Sequence, residues 1–159
     1  MRRIGGERPG SARFLVAVLN RSIDARVLVA GETRGEALVL DQTRSFWGGF
    51  DSAEGKIIDV HHTQFGARVG ARVLCIPRSK GSAGTPGGIA ETLRNGSGPR
   101  AFVLGEPDVN ISVGVLVANR LYGMKVPVVC ISMAEMARIV SGDEVSIDLD
   151  GRLSVVSQR

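Results

Sequence analysis

Between Pro77 and Gly88 the chain runs Pro-Arg-Ser-Lys-Gly-Ser-Ala-Gly-Thr-Pro-Gly-Gly. This segment leaves a buried strand and enters a helix, a place where backbone N–H groups and the positive helix end collect anions. Ser79 and Ser82 flank Lys80, and Arg78 adjoins them, so the loop is suited to a carboxylate or a phosphate. The bland alternative is a flexible surface loop rich in turn residues. Neither Gly-x-x-x-x-Gly-Lys-Ser/Thr nor Gly-x-Gly-x-x-Gly occurs there, so nucleotide binding has no motif behind it. A second unusual segment, Ser45-Phe46-Trp47-Gly48-Gly49, holds the one tryptophan. Taken alone it reads as an anchor for the core or for a subunit interface. His61 and His62 are adjacent, and neighbours on a strand point to opposite faces, so they are a poor pair for one metal. One of them serves a site, or is held structurally.

The elements that must position these residues are mostly short and β-branched. Runs at 26–30, 36–40, 56–60, 72–76, 101–104, 126–131, 144–149 and 152–156 are each bounded by Gly, Pro, Asp or Asn, the pattern of strands. The first half is expected to be a β-meander. Asp150-Gly151 joins the last two runs and predicts a two-residue type I′ hairpin, which needs positive φ at both positions. Helices are predicted over 88–94, stopped by Asn95-Gly96, over 110–121, stopped by Gly123, and over 133–140. The second of these also alternates well enough for a strand. The third opens with a capping box, Ser132 to Glu135, and its Met133, Met136, Ala137 and Val140 would line one buried face. Strand 101–104, helix 110–121 and strand 126–131 make a βαβ crossover, expected to be right-handed. The fold class is α/β or α+β, a β layer or small barrel covered by helices.

At 159 residues and 16.8 kDa the chain fits one domain. A hydrophobic share of 43% with 23% charged residues excludes disorder of the whole, while 4% aromatics leaves aliphatic residues to fill the core. The formal charge is +4, and the first 30 residues hold six arginines against two acids, so the entire excess lies at the N-terminal end. Residues 1–23 therefore read as a flexible basic leader before a domain at 24–159. No basic stripe with interleaved aromatics follows, which argues against nucleic acid as a partner. Cys75 and Cys130 sit inside aliphatic runs and read as small buried hydrophobes, and no ligand set for zinc or iron–sulfur is present in the sequence. No apolar run is long enough for a membrane span, and none has the form of a signal peptide, so the expected compartment is the cytoplasm.

Taken in order, Gly35-Glu36-Ala37-Leu38-Val39, Ser45-Phe46-Trp47-Gly48-Gly49-Phe50-Asp51, Gly55-Lys56-Ile57-Ile58-Asp59, His62 and Lys80-Gly81-Ser82 resemble the swivel domain, or small subunit, of the aconitase X family. The likeness spans about residues 26–156. It implies a swivelling β/β/α domain that caps a separate large catalytic subunit, the pair forming a hydro-lyase that removes water from a small hydroxy acid. Family members include cis-3-hydroxy-L-proline dehydratases and phosphomevalonate dehydratases. An arginine-rich, lysine-poor composition favours a bacterial origin and hence cis-3-hydroxy-L-proline, converted to Δ1-pyrroline-2-carboxylate. The resemblance also implies an iron–sulfur cluster held by the large subunit.

By the same likeness Ser82 is the catalytic base that takes the proton next to the substrate carboxylate. Ser45, Trp47, Gly48, His62, Arg78, Ser79, Lys80, Gly81, Ala83, Gly84 and Thr85 are expected to bind substrate or line the interface. Lys80 stands where the family has arginine, and Ala83-Gly84-Thr85-Pro86 where it has serines. Lysine offers a point charge without the bidentate fork of arginine, which weakens carboxylate recognition at residue 80. Two rivals share the fold. The phosphohistidine domain of phosphoenolpyruvate-utilising enzymes needs a histidine after the glycine pair, where Ile89-Ala90-Glu91 offers none. A non-catalytic module that only docks an anion is the other.

Overall fold

A computed structural model of the chain describes residues 18–41, 49–79 and 82–158. Its main sheet has eight strands, β1 (Val18–Asp24), β2 (Arg26–Val29), β3 (Thr33–Val39), β6 (Val73–Ile76), β7 (Ala101–Leu104), β8 (Val128–Cys130), β9 (Glu144–Ile147) and β10 (Arg152–Gln158). The order across the sheet is β1-β10-β9-β3-β6-β7-β8-β2. A small antiparallel pair, β4 (Phe50–Asp51) and β5 (Lys56–Ile57), stands apart from it. The two edge strands of the large sheet, β1 and β2, are separated in the chain by Ala25 alone, so the sheet must curl on itself.

Two chain segments make the curl. Residues 18–24 pair with β10 while 26–29 pair with β8, and β3 pairs with β9 through 33–36 and with β6 through 37–39. One half of the sheet is antiparallel; the other, β3-β6-β7-β8, is parallel. At the β1/β2 bend the Ala25 N–H donates to the Gly151 carbonyl at 3.0 Å. Gly151 has φ +82°, and a Cβ there would lie 2.8 Å from the Ala25 oxygen, so only glycine fits that corner.

Strand alternation sorts the core into two layers. Val73, Cys75, Ala101, Val103 and Val129 face inward against Ile23, Val145, Ile147, Leu153 and Val155 of the antiparallel half. Leu74, Ile76, Phe102, Leu104 and Val128 face outward and are covered by Ile89 and Leu93 of α1 (Thr85–Arg94) and by Ile111, Val115 and Ala118 of α2 (Val109–Tyr122). Strands covered on both faces read as continuous apolar runs, which is why β6 and β7 are so plain in the sequence. A one-turn helix, α3 (Met133–Met136), puts Met136 into the inner layer.

Several expectations are corrected. The first half is no meander, because β2 pairs with β8, and β3 pairs with β9 and, in parallel, with β6. Residues 18–23, assigned to the leader, belong to β1, and residues 1–17 lie outside the described ones. The run at 56–60 is a strand only at Lys56–Ile57. The β9–β10 connection is not type I′: Gly151 has positive φ, but Asp150 does not. Asp148 Oδ1 accepts the N–H groups of Asp150 and Arg152 at 3.0 and 2.9 Å and so stabilises a longer loop. Ser132 Oγ does cap α3, accepting the Glu135 N–H at 3.2 Å. That helix ends at Met136; the Arg138 and Ile139 N–H groups bond three residues back, Asp143 Oδ2 takes the Val140 N–H at 2.9 Å, and Met133, Ala137 and Val140 are exposed, not buried as expected. Cys75 is buried as expected, whereas Cys130 is only half-buried. Residues 109–122 are helical, with Asp108 as N-cap and Gly123 at φ 65° ending the helix.

Candidate active site

The carboxyl ends of parallel strands are where α/β sheets bind ligands. Here hydrogen bonds continue past the strands and draw their exits together. The Leu40 N–H donates to the Cys75 carbonyl at 2.9 Å, Gly105 to Ile76 at 2.9 Å, and Ile131 to Leu104 at 2.9 Å. The exits of β3, β6, β7 and β8 therefore lie side by side. Arg78 and Ser79 follow β6 at this edge, and Leu40 and Asp41 follow β3.

The β6 exit runs through Pro77, Arg78 and Ser79 to Ser82 and into α1. The helix begins at Thr85, three residues earlier than the sequence suggested, with Pro86 in its first turn, where a missing N–H costs nothing. Ser82 consequently sits just before the first turn of a ten-residue helix. Its N–H donates to Thr85 Oγ1 at 3.2 Å, the Thr85 N–H donates to the Ser82 carbonyl at 3.0 Å, and the two hydroxyl oxygens are 3.5 Å apart. Ser82 is half-buried, Thr85 is buried, and Ala83 is exposed. Two of the loop amides expected to hold an anion are thus engaged within the loop itself. Those of Ala83 and Gly84 have no partner among the described residues.

Arg78 does not stand free beside the loop. Its Nε lies 3.1 Å from Glu106 Oε1 on the β7 exit. Ser79 Oγ donates to Asp108 Oδ2, whose other oxygen caps α2 by accepting the Ile111 N–H at 3.0 Å. Asp108 escaped the sequence reading, although an Asp directly before an apolar helical run is an N-cap signal.

His62 reaches the same edge by another route. It is 7% exposed, and its Nδ1 accepts the Gln64 N–H at 2.9 Å, so the neutral ring carries its proton on Nε2. The turn that holds it is tied to the end of β3. Gln64 Nε2 donates to the Val39 carbonyl at 2.6 Å, Gln64 Oε1 accepts the Asp41 N–H at 3.3 Å, and Thr63 Oγ1 donates to Asp41 Oδ1 at 2.5 Å. His61 is exposed, its N–H bonded to Asp59 Oδ1 at 2.9 Å. Only one of the two histidines is buried, and both lie in a turn, not on the strand the sequence suggested. Ser45, Trp47, Gly48, Lys80 and Gly81 lie outside the described residues.

No three His, Cys, Asp or Glu side chains among the described residues converge to hold a metal ion. Burial also pushes the Cys75 thiol up to about 12, far from the thiolate that a metal would require. The described residues therefore do not fit an iron–sulfur cluster. No described helix is long and apolar enough to cross a membrane. Among the described residues, two surface clefts lie away from the serine loop. One, of about 740 Å³, is lined by Arg34, Arg100 and Glu144; the other, of about 390 Å³, lies by Ala71, Gly98 and Lys125 at the amino ends of the parallel strands.

A sheet curled on itself, helices over its parallel half and a serine at the entry to the first crossover helix define a β/β/α swivel-type domain. The chain belongs to the aconitase X swivel domain family, whose model matches residues 22–155. It is 38% identical over 106 residues to the cis-3-hydroxy-L-proline dehydratase of Pseudomonas aeruginosa, across 67% of this chain and 18% of that protein. It is 31% identical over 128 residues to the phosphomevalonate dehydratase small subunit of Thermococcus sibiricus, across 80% of this chain and 92% of that one. The chain thus spans about a fifth of the length of the hydroxyproline dehydratases it matches and nearly all of the small subunits. Among solved structures, the crystal structure of Thermococcus kodakaraensis aconitase X (holo-form) matches with a TM-score of 0.75 and 25% identity, covering 86% of this chain and 99% of that chain.

Proposed function

We propose that this chain is the small subunit of an aconitase X-type hydro-lyase and that Ser82 is its base. The observation that carries the reading is the placement of Ser82 immediately before α1, on the edge where the parallel strands end. A serine hydroxyl is a poor base unless its alkoxide is stabilised. The positive end of α1 supplies at most about 2 kcal/mol, roughly 1.5 pKa units. Most of the stabilisation must therefore come from a full charge, the role assigned to Lys80, and from the Ala83 and Gly84 amides. In the reaction, the base removes the proton on the carbon bearing the carboxylate while the hydroxyl on the adjacent carbon leaves. The products are one water and an unsaturated acid. With cis-3-hydroxy-L-proline the first product is an enamine, which tautomerises to Δ1-pyrroline-2-carboxylate.

The partner is a large catalytic subunit, to which the iron–sulfur cluster is assigned. His62 and Trp47 line the shared site, with Ser45, Gly48, Arg78, Ser79 and Gly81 around the substrate. The relative in Pseudomonas aeruginosa supports cis-3-hydroxy-L-proline as substrate. A second reading, phosphomevalonate, is supported by the small subunit of that name in Thermococcus sibiricus, 92% of which the match covers.

The test is to co-purify the chain with its large partner under oxygen-free conditions and offer both substrates. Turnover of cis-3-hydroxy-L-proline, abolished by Ser82→Ala while the complex persists, is the expected result. Turnover of phosphomevalonate alone would select the second reading. Full turnover by Ser82→Ala would remove the base assignment, and tight anion binding by the isolated chain with no partner recovered would favour the non-catalytic module.

A further inference from the structure

We propose that Asp108 is a positioning residue for the serine loop, a latch that fixes where Ser82 stands; the proposal rests on the role given to Ser82 above. A helix cap alone needs one acceptor, which Ser, Thr or Asn supplies equally well. Asp108 uses both carboxylate oxygens, Oδ1 on the Ile111 N–H at 3.0 Å and Oδ2 on the Ser79 hydroxyl. Its backbone carbonyl in turn accepts Ser112 Oγ at 2.8 Å and the Ser112 N–H at 3.1 Å. The carboxylate is therefore held rigidly on α2, and through Ser79 it holds the β6 exit.

The spacing gives the latch its meaning. Ser79 lies three residues before Ser82, and Thr85, which bonds the Ser82 N–H, lies three residues after it. Ser79 is thus held to α2, and Ser82 to the first turn of α1. Three residues of chain span at most about 10 Å, so fixing residue 79 strictly limits where residue 82 can go. The root of the loop is also pressed against the β7 exit, since a Cβ on Gly105 would lie 2.4 Å from the Pro77 carbonyl oxygen. The neighbouring Arg78–Glu106 pair joins the same two exits, but both side chains are more than half exposed, so it contributes little. The hydrogen bond from Ser79 to Asp108 is the specific tie.

The test uses the full chain, alone and in complex with its large partner, in wild-type, Ser79→Ala and Asp108→Asn forms. Ser79→Ala removes the tie and leaves the α2 cap. Asp108→Asn keeps the cap, and its amide can donate to Ser79 Oγ. Amide hydrogen exchange of the isolated chain should speed up about tenfold at Ser82 and Thr85 in Ser79→Ala, with no change at Leu153 in β10. In the complex, kcat should fall about tenfold, and Asp108→Asn should stay within about threefold of wild type; the exchange of the isolated chain, which holds no substrate, separates loss of the tie from loss of a substrate contact. Unchanged exchange at Ser82 and Thr85 in Ser79→Ala overturns the latch, and so does wild-type kcat in that variant. If the wild-type complex fails to dehydrate either substrate, the proposed function falls instead, while the exchange measurement still decides whether Asp108 restrains the loop.

Discussion

Ser82 and Thr85 hold each other across the entry to α1, each donating its N–H to an oxygen of the other at 3.2 and 3.0 Å. Because Thr85 is 1% exposed, this exchange anchors a half-buried serine to a fixed point in the core. Thr85→Val keeps the shape and removes the acceptor, leaving the Ser82 N–H without it. That should cost about 1 kcal/mol in urea unfolding of the chain. Turnover of the complex should drop about tenfold or more, since small displacements of a reacting group are costly. Thr85→Ser should restore most of both. Wild-type turnover in Thr85→Val would show that the ring does not position Ser82.

Thr85 also shows what a sequence can and cannot display. The buried strands β6 and β7 are legible as continuous aliphatic runs, and the β7-α2-β8 crossover follows from their spacing with the helix between them. The start of α1 is obscured by Gly84 and Pro86-Gly87, which look like loop until the first turn packs. The β1/β2 edge is hidden for a different reason. Its pairing depends on strands about a hundred residues away or more, and no local pattern encodes that register. At the site, Ser82 and His62 stand out by type and by family likeness. Asp108 and Gln64 act through long-range hydrogen bonds that only the folded chain creates.

Gly114 on α2 and Gly87 on α1 make opposite predictions from one rule. A Cβ on Gly114 would lie 2.8 Å from the Pro86 carbonyl oxygen and 3.0 Å from Ile89 Cβ, where the two helices cross. Alanine is the better helix former by about 1 kcal/mol, but the clash is with backbone that cannot swing aside. Gly114→Ala should therefore destabilise the chain by about 1–3 kcal/mol. Its displacement of the first turn of α1 should reduce turnover as well. Nothing lies within 4 Å of a Cβ on Gly87, so Gly87→Ala should stabilise by about 0.5–1 kcal/mol. Urea midpoints for the two variants measure both signs, and a stabilised Gly114→Ala would mean that the helices can separate at little cost.

His62 is held as an acceptor at Nδ1, which dictates a proton on Nε2 in the neutral ring. Long-range nitrogen–proton correlation spectra of the chain should show that tautomer. His62→Ala should cost about 1–3 kcal/mol, because it leaves the Gln64 N–H unpaired beside a residue that is otherwise buried. The Gln64 side chain bridges Val39 and Asp41, so the same variant should speed amide exchange at Asp41, which bonds Gln64 Oε1 at 3.3 Å. A proton found on Nδ1 would contradict this arrangement.

Cys75 faces the inner layer, where burial, with a smaller contribution from the nearby Asp143 carboxyl, pushes its thiol up to about 12. The unfolded thiol ionises in the ordinary range, near 8.5–9. Between those values the unfolded chain loses a proton that the native chain keeps. The stability this group contributes is thus fully present below about pH 8.5 and is lost as the pH rises toward 12. The slope approaches about 1.4 kcal/mol per pH unit once the unfolded thiol is fully ionised. Comparing urea unfolding of wild type and Cys75→Ala at pH 8 and pH 10 isolates the effect, because all other titrating groups are common to both. Cys75→Ala is less stable at pH 8, since it leaves a small cavity in a packed layer, but the gap should narrow by about 1–2 kcal/mol at pH 10. At pH 8 the native thiol should also resist alkylation while that of Cys130, half-buried and less strongly raised, reacts first. A gap that stays constant with pH would mean that Cys75 ionises in place and that the inner layer admits water.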